Sequence, residues 1–154
     1  METVFVKQFS TLQTYFSETF TRLFGGGRGE ISMSDPSDPL GCGIDIIVQP
    51  PGKKRQLLSL FSGGERALTA IALLFAMLKL KPTPFCILDE IEAALDDANI
   101  SYFADYLKEF SQDTQFIVVT HRKGTMERCD TLFGVAMEER GVSSMVSVNL
   151  TDYE

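Results

Sequence analysis

The chain of 154 residues is 44% hydrophobic and carries a formal net charge of −7 at pH 7. This length and hydrophobicity suffice to bury one sizeable core and exclude a disordered tail, while the negative charge gives the chain as a whole no electrostatic reason to bind nucleic acid. Because the sequence has neither a run of about eighteen apolar residues nor a secretory signal, we expect a soluble chain inside the cell without membrane contact.

A stripe of apolar side chains defines the first predicted element. The apolar residues that recur at steps of three or four are Phe5, Phe9, Leu12, Phe16, Phe20 and Leu23. This period predicts a helix with one face turned to the core, ending at the glycines of positions 25–27. Two β-like runs follow at 30–33 and 43–49, separated by a turn-forming segment rich in proline and aspartate. They are expected to form an antiparallel pair.

From Ser62 onward the chain alternates between helical and strand patterns. Predicted helices cover Ser62 to about Lys79, about 98–110 and about 123–129, and they are followed in turn by the apolar runs FCILD, FIVVT and TLFGVAM. Unbroken apolar strands that alternate with helices imply a parallel sheet covered on both faces. A last β-like run, SSMVSVNL, closes the pattern.

The junction LFSGGERALTA has the features of an anion-binding helix start. Ser62 is a favoured N-cap residue, and Gly63 and Gly64 leave room for close approach to the first free N–H groups, where the helix dipole is positive. Such a start can hold a phosphate. Glu65 stands at the third helical position, as in a capping box. An ordinary helix cap explains the same residues, so the junction alone leaves both interpretations open.

Two adjacent carboxylates, Asp89 and Glu90, end the segment FCILDE. Ligands of open α/β sheets bind at the C-terminal ends of strands. One carboxylate there can hold Mg²⁺ while its neighbour polarises a water for attack on phosphorus, and a solvated strand end is the alternative. Asp96 and Asp97 follow shortly afterwards and could cap the next helix, or Asp96 could contact a partner.

His121, the single histidine, stands just beyond the run FIVVT. If FCILD and FIVVT are neighbours in a parallel sheet, their C-terminal ends place His121 beside Glu90. There the imidazole could donate to a γ-phosphate oxygen and orient the attacking water. A structural histidine with a satisfied hydrogen bond is the alternative.

In this order, SGGER, FCILDE, ALDD and VVTH look like the signature motif, Walker B motif, D-loop and switch histidine of ABC ATPases. More narrowly, LFGGGRGEI, DPLGCGIDIIVQPPGKKRQLLSLFSGGERALTA, TQFIVVTHRKGTME and LFGVAMEERGVSSMVSVNL resemble the C-terminal half of the head of SMC (structural maintenance of chromosomes) proteins, the bacterial kind above all. The resemblance covers about residues 16–150. Phe61 departs from it, because the family usually has leucine before the serine.

The resemblance implies an α/β fold, namely a P-loop NTPase-like half-domain with a mostly parallel sheet flanked by helices and a small antiparallel portion. Residues 1–24 would form the foot of a coiled-coil arm with the first helix, so Met1 would be either an artificial boundary or an inserted start. Residues 25–154 would form the C-terminal lobe of the head. The other half would supply the Walker A loop, for which this sequence has no G-x-x-x-x-G-K-[ST] segment.

In the family, the signature motif caps the γ-phosphate of ATP that is held by the facing head. The resemblance thus implies that Ser62, Gly63 and Gly64, with Glu65 beside them, contact ATP bound by a partner. It also assigns four further roles, namely Mg²⁺ binding to Asp89, general base to Glu90, the inter-head contact to Asp96 and γ-phosphate sensing to His121.

The expected activity is ATP hydrolysis by the complete head, which drives chromosome condensation and segregation in the cytoplasm, at the nucleoid. The chain alone is expected to be inactive. Expected partners are the N-terminal head segment of the same protein, a second head in an ATP-dependent homodimer, a kleisin subunit, and DNA through the full complex. The basic loop 53–55 is interpreted as solvated, with DNA contact as the alternative. A non-catalytic kleisin-docking half and an ABC-type head from DNA repair or transport are the rival functions.

Overall fold

The structure is a computed structural model that describes residues 2–150. Met1 and residues 151–154, at the ends of the two expected domains, lie outside the described residues. The helices are α1 (Glu2–Leu23), α2 (Gly63–Leu80), α3 (Asp97–Phe110) and α4 (Lys123–Met126), with a 3-10 turn at Leu58–Leu60. The strands are β1 (Arg28–Met33), β2 (Ile44–Gln49), β3 (Gln56–Leu57), β4 (Phe85–Asp89), β5 (Gln115–Val119), β6 (Thr131–Glu139) and β7 (Val142–Asn149). Every predicted helix and strand is present, although α4 is shorter than expected, and β3 was not predicted.

The strands form three small sheets within the described part of the chain. β1, β2 and β3 make an antiparallel sheet, which confirms the predicted pairing of the first two strands. β4 and β5 pair in parallel, also as predicted, with Asp89 opposite Val119 at their C-terminal ends. α3 connects these two strands, as a parallel pair requires. The predicted α/β fold is confirmed.

The expectation that the run TLFGVAM joins the parallel sheet is wrong. β6 does not continue the parallel pair but forms an antiparallel hairpin with β7. The short connection explains this pairing, because only Arg140 and Gly141 lie between the paired residues Glu139 and Val142. Gly141 adopts a φ of 86°, which a glycine can take without strain, and so brings the two strands together directly.

The core lies where α1 packs against α2, β1 and α3. The predicted apolar stripe of α1 is confirmed, because Phe9, Phe16, Phe20 and Leu23 are buried. Phe75 of α2 stands at the centre of an aromatic cluster, with rings of α3 and β5 around it. The apolar stripe therefore packs α1 directly against α2 and α3, and the N-termini of these two helices carry the candidate site residues Ser62 and Asp96.

One face of the parallel pair is exposed, contrary to the expectation of a sheet covered on both faces. Phe85 and Ile87 of β4 and Ile117 and Val119 of β5 expose 50–60% of their surface. They alternate with residues that face the core, such as Leu88, which is 2% exposed. Each run does form a strand with apolar residues on both faces, but the layer that would cover the exposed face is not formed by residues 2–150. No helix in that range is both long enough and apolar enough to cross a membrane.

Candidate functional site

The N-terminus of α2 carries the predicted capping box. Ser62 has extended backbone and its hydroxyl accepts a hydrogen bond from the N–H of Glu65, at 3.4 Å. The Glu65 carboxylate accepts in return from the N–H of Ser62 at 3.4 Å and from its hydroxyl at 2.9 Å. Ser62 and Gly63 are exposed. The predicted helix start is therefore confirmed, and it faces solvent rather than its own fold.

Glu65 is further anchored by Lys53 of the basic loop. The Lys53 ammonium lies 2.8 Å from the second carboxylate oxygen. Burial by itself raises the pKa of Glu65, but the hydrogen bonds from Lys53 and Ser62 and the Lys53 charge outweigh it, so the pKa is lowered. The Glu65 carboxylate therefore stabilises the start of α2 through its contacts with Lys53 and Ser62. Arg55 pairs with Glu30 in the same way, which leaves Lys54 as the residue of this loop without an ion pair to any described residue.

The two glycines of the junction differ in their surroundings. A Cβ built on Gly64 would lie 3.0 Å from the carbonyl oxygen of Ala94, so Gly64 allows α2 to pack closely against the loop that follows Glu90. A Cβ on Gly63 would meet nothing within 4 Å. The fold itself therefore does not require a glycine at position 63, and the space in front of the helix start is open.

Asp89 and Glu90 lie at the C-terminal end of β4, where both side chains are exposed. Glu90 has a φ of 47°, and within residues 2–150 it is the one non-glycine residue with a positive φ. Its N–H donates to the carbonyl of Val119 at 2.9 Å, so the turn still joins the end of β5. A backbone of this kind costs free energy and is typical of functional positions.

The structure brings Glu90 and His121 together, as the parallel pairing predicted. Nδ1 of His121 lies 3.2 Å from Oε1 of Glu90, and both side chains are more than half exposed. An exposed carboxylate and imidazole at this distance can share a proton and can reach a water in front of the sheet edge.

Asp96 serves as a helix cap in the structure. Its carboxylate accepts from the N–H of Asn99 at 2.9 Å, at the start of α3. The side chain is also exposed, so the cap leaves it accessible to a partner. Asp97 is fully exposed, and its carboxylate oxygen lies 3.9 Å from the Arg122 guanidinium.

The sequence analysis did not identify Glu92, Arg122 or the two threonines that bind Glu92 as functional candidates. Glu92 is 1% exposed, and Oε1 of its carboxylate accepts hydrogen bonds from the hydroxyls of Thr120 and Thr125. Arg122 donates to the carbonyl of Leu95 at 2.6 Å and to that of Ala93 at 3.3 Å. These residues tie the loop after β4 to the loop after β5. The available signal was a third acidic residue two positions after Glu90, within an otherwise apolar segment.

The residues present fit a nucleotide with Mg²⁺ only in part. Mg²⁺ in phosphoryl-transfer sites is usually bound by one or two carboxylates together with phosphate oxygens and water. Asp89 offers one exposed carboxylate for this purpose. Among residues 2–150 no group of three or more acidic, histidine or cysteine side chains is placed to hold a metal by itself. The nucleotide phosphates would therefore have to complete such a site.

Comparison with known proteins identifies the family of the chain. The family described as the RecF/RecN/SMC N-terminal domain matches residues 7–144. The chromosome partition protein Smc of Bacillus subtilis (strain 168) is 61% identical over 144 residues, which make up 94% of this chain but 12% of that protein. The chain thus spans a small part of this relative.

Solved structures show the same fold. One, from a study of ATP-driven dimerization and DNA-stimulated activation of SMC ATPases, has a TM-score of 0.91 at 40% identity, over 99% of this chain and 92% of that one. Another is the Pyrococcus furiosus Smc head domain with an extended coiled coil, bound to the C-terminal domain of ScpA. Its TM-score is 0.89 at 43% identity, over 99% of this chain and 38% of that one. The matching family description names an N-terminal domain, whereas the motifs predict a C-terminal half, so that placement stays a prediction.

Proposed function

The chain belongs to the RecF/RecN/SMC family, and from this premise we propose that it is the C-terminal part of an SMC-type head that hydrolyses ATP between two heads. The observation that carries the proposal is the exposed pair of Glu90 and His121, 3.2 Å apart at the end of the parallel strands. A related structure comes from a study of ATP-driven dimerization of SMC ATPases, and its chain has nearly the same extent as this one.

The chemistry follows from the positions of the side chains. Glu90 accepts the proton of the attacking water, because its carboxylate is exposed and held by the turn after β4. His121 donates toward the γ-phosphate and orients the same water. Asp89 would hold Mg²⁺, which would supply positive charge to the phosphate oxygens. Asp96, at the start of α3, meets the second head.

The helix start at Ser62 serves the nucleotide of the second head. Within residues 2–150 no hydrogen bond or ion pair joins Ser62 to Glu90 or to His121. The open space at Gly63 is therefore available to a ligand from outside, and the Ser62 hydroxyl can turn to it by giving up its hydrogen bond to Glu65. Two heads related by two-fold symmetry would enclose two nucleotides, so ATP joins the heads and hydrolysis releases them.

The placement as the C-terminal part rests on the motifs. The chain carries the signature, Walker B, D-loop and histidine segments in order, but no Walker A segment. On this proposal residues 1–24 are the foot of a coiled-coil arm and residues 25–154 the C-terminal lobe. The exposed face of β4 and β5 is then the surface on which the N-terminal head segment packs. The chain without that segment has no turnover.

The wider role is the condensation and segregation of chromosomes at the nucleoid, in the cytoplasm. A kleisin subunit, as ScpA in the related Smc structure, and DNA contacted through the full complex are the further partners. The exposed Glu90 and His121 speak against a purely kleisin-docking half, because such a half needs no paired base and imidazole at a sheet edge.

The test is reconstitution of the complete head. This chain is mixed with the N-terminal segment of the same protein, and ATP turnover and ATP-dependent dimerisation are measured. Turnover that depends on both segments supports the proposal. A correctly assembled head that neither dimerises with ATP nor hydrolyses it would contradict the proposal.

A further inference from the structure

The buried carboxylate of Glu92 has an arrangement that packing alone does not explain. The side chain is 1% exposed and is hydrogen-bonded to the hydroxyls of Thr120 and Thr125. Its Oε2 has no hydrogen-bond partner among the described residues, and the same holds for Nε of Arg122. Buried polar atoms without partners cost free energy, so such a residue calls for a role.

The hydrogen bonds of the other carboxylate oxygen of Glu92, Oε1, indicate that role. Oε1 accepts from the Thr120 hydroxyl at 2.5 Å, and Oγ1 of Thr120 in turn accepts from the N–H of Arg122 at 3.0 Å. Thr120 and Arg122 are the residues directly before and after His121. A single chain of hydrogen bonds from Glu92 thus holds the backbone on both sides of the histidine.

The same carboxylate is fixed to the segment that carries Glu90. Glu92 follows Glu90 by two residues, in a turn where the N–H of Ala93 donates to the carbonyl of Glu90 at 3.1 Å. Arg122 closes the connection from the other side through the carbonyls of Ala93 and Leu95. The relative position of the two loops, and with it the Glu90 to His121 distance, therefore depends on this network.

We propose that Glu92 is a positioning residue, which acts through Thr120 and the N–H of Arg122 to hold the His121 imidazole against Glu90. The effect of Glu92 on catalysis rests on the proposed ATP hydrolysis. Its effect on the position of the His121 imidazole does not, because that position can be measured without turnover.

The chain offers a matched pair of variants. Thr120→Val and Thr125→Val are isosteric changes, and each removes a hydroxyl that donates to Oε1 of Glu92. Only the Thr120 hydroxyl also reaches the backbone next to His121. Thr120→Val should therefore lower kcat of the reconstituted head roughly 10- to 100-fold with little change in KM, since misplacing a catalytic group costs about this much. Thr125→Val should leave kcat within about two-fold.

Two further comparisons separate positioning from a general loss of structure. Combined with His121→Ala, Thr120→Val should cause no further fall in kcat, because the group through which it acts is absent. Glu92→Gln keeps one acceptor oxygen in the same place and should preserve kcat within about two-fold. A fall in kcat that is equal for Thr120→Val and Thr125→Val, or that adds to the loss from His121→Ala, would overturn the inference.

A structural readout keeps the inference apart from the proposed function. This chain has one histidine. Labelling this segment alone with ¹⁵N-histidine, before it is mixed with the unlabelled N-terminal segment, therefore gives one Nδ1 signal from the head. Thr120→Val should shift that signal and Thr125→Val should not. An unshifted signal in Thr120→Val overturns the inference, whether or not the head hydrolyses ATP. A shift in a head without turnover supports the inference while the proposed function fails.

Discussion

Nδ1 of His121 lies 3.2 Å from Oε1 of Glu90, across the C-terminal ends of two parallel strands. Glu90 directly follows β4, which ends at Asp89, and His121 lies two residues beyond Val119, the residue opposite Asp89 at the end of β5. The contact therefore depends on strand register as much as on the two side chains. A shift of one residue in either strand would turn the alternating side chains to the other face and separate the pair.

Glu90→Gln should lower ATP turnover of the reconstituted head by roughly 10²–10⁴-fold, because the amide cannot accept the proton of the attacking water. ATP binding and pairing of the heads should persist, since the amide has the same shape. The measurement is steady-state hydrolysis together with the mass of the ATP-bound assembly. Asp113→Asn, which removes an exposed carboxylate beyond the far end of α3, is the control and should not alter turnover. Unchanged turnover in Glu90→Gln would show that another group is the base.

Ser62→Arg should abolish ATP-dependent pairing of heads while each separate head still binds ATP. The arginine would fill the open space in front of the helix start and remove the capping hydroxyl. Loss of the cap alone costs only about 1 kcal/mol of stability, so thermal unfolding should show a modest change. Pairing is followed by sedimentation with and without ATP.

Ser10→Arg, the same substitution at an exposed serine of α1, is the matched control for Ser62→Arg. It should leave pairing intact, because it places the same bulk and charge away from the helix start. A Ser62→Arg head that still dimerises with ATP would contradict a phosphate contact made across the interface.

Lys53→Met should destabilise the head by less than about 1 kcal/mol at pH 7, because the lost ion pair with Glu65 lies near the surface. The folded state holds the pKa of Glu65 below its ordinary value of 4.5. Its contribution to stability is therefore present above that value and is lost as pH falls through the folded pKa. The difference between wild type and variant should accordingly vanish in acid below pH 4.5.

The measurement for Lys53→Met is the urea midpoint of unfolding as a function of pH. Lys54→Met removes the same charge from the neighbouring residue, which makes no ion pair with any described residue, and it should change the midpoint little at any pH. A Lys53→Met difference that persists in acid would mean that the lysine acts through packing rather than through Glu65.

Ile117→Lys should reduce self-association of the chain alone and weaken its binding to the N-terminal head segment. Ile117 is 50% exposed in the apolar face of β4 and β5, and exposed apolar patches of this kind mark interfaces or aggregation sites. Light scattering and pull-down between the two segments measure both effects. Gln115→Lys changes an exposed residue at the start of the same strand, opposite Phe85 and on the same face, and should have a smaller effect. Binding that Ile117→Lys leaves unchanged would place the N-terminal segment elsewhere.

Much of the local structure was predictable because short-range chemistry determines it. The capping box at Ser62 and the buried stripe of α1 follow from residue type and period, and both are present. The hairpin of β6 and β7 was misjudged, since an apolar run has the same composition in a parallel strand and in a hairpin. Only the tight turn at Gly141 distinguishes the two.

The sequence by itself determined where helices begin, which runs form strands, and that carboxylates and a histidine follow two of those strands. The tertiary structure alone decided that Glu90 and His121 meet, that Glu92 is buried between their loops, and that the face of β4 and β5 remains uncovered. The physical reason is that caps and periodicity depend on neighbours within a few residues. Burial and side-chain distances depend on how strands far apart in the chain align and on what packs above them.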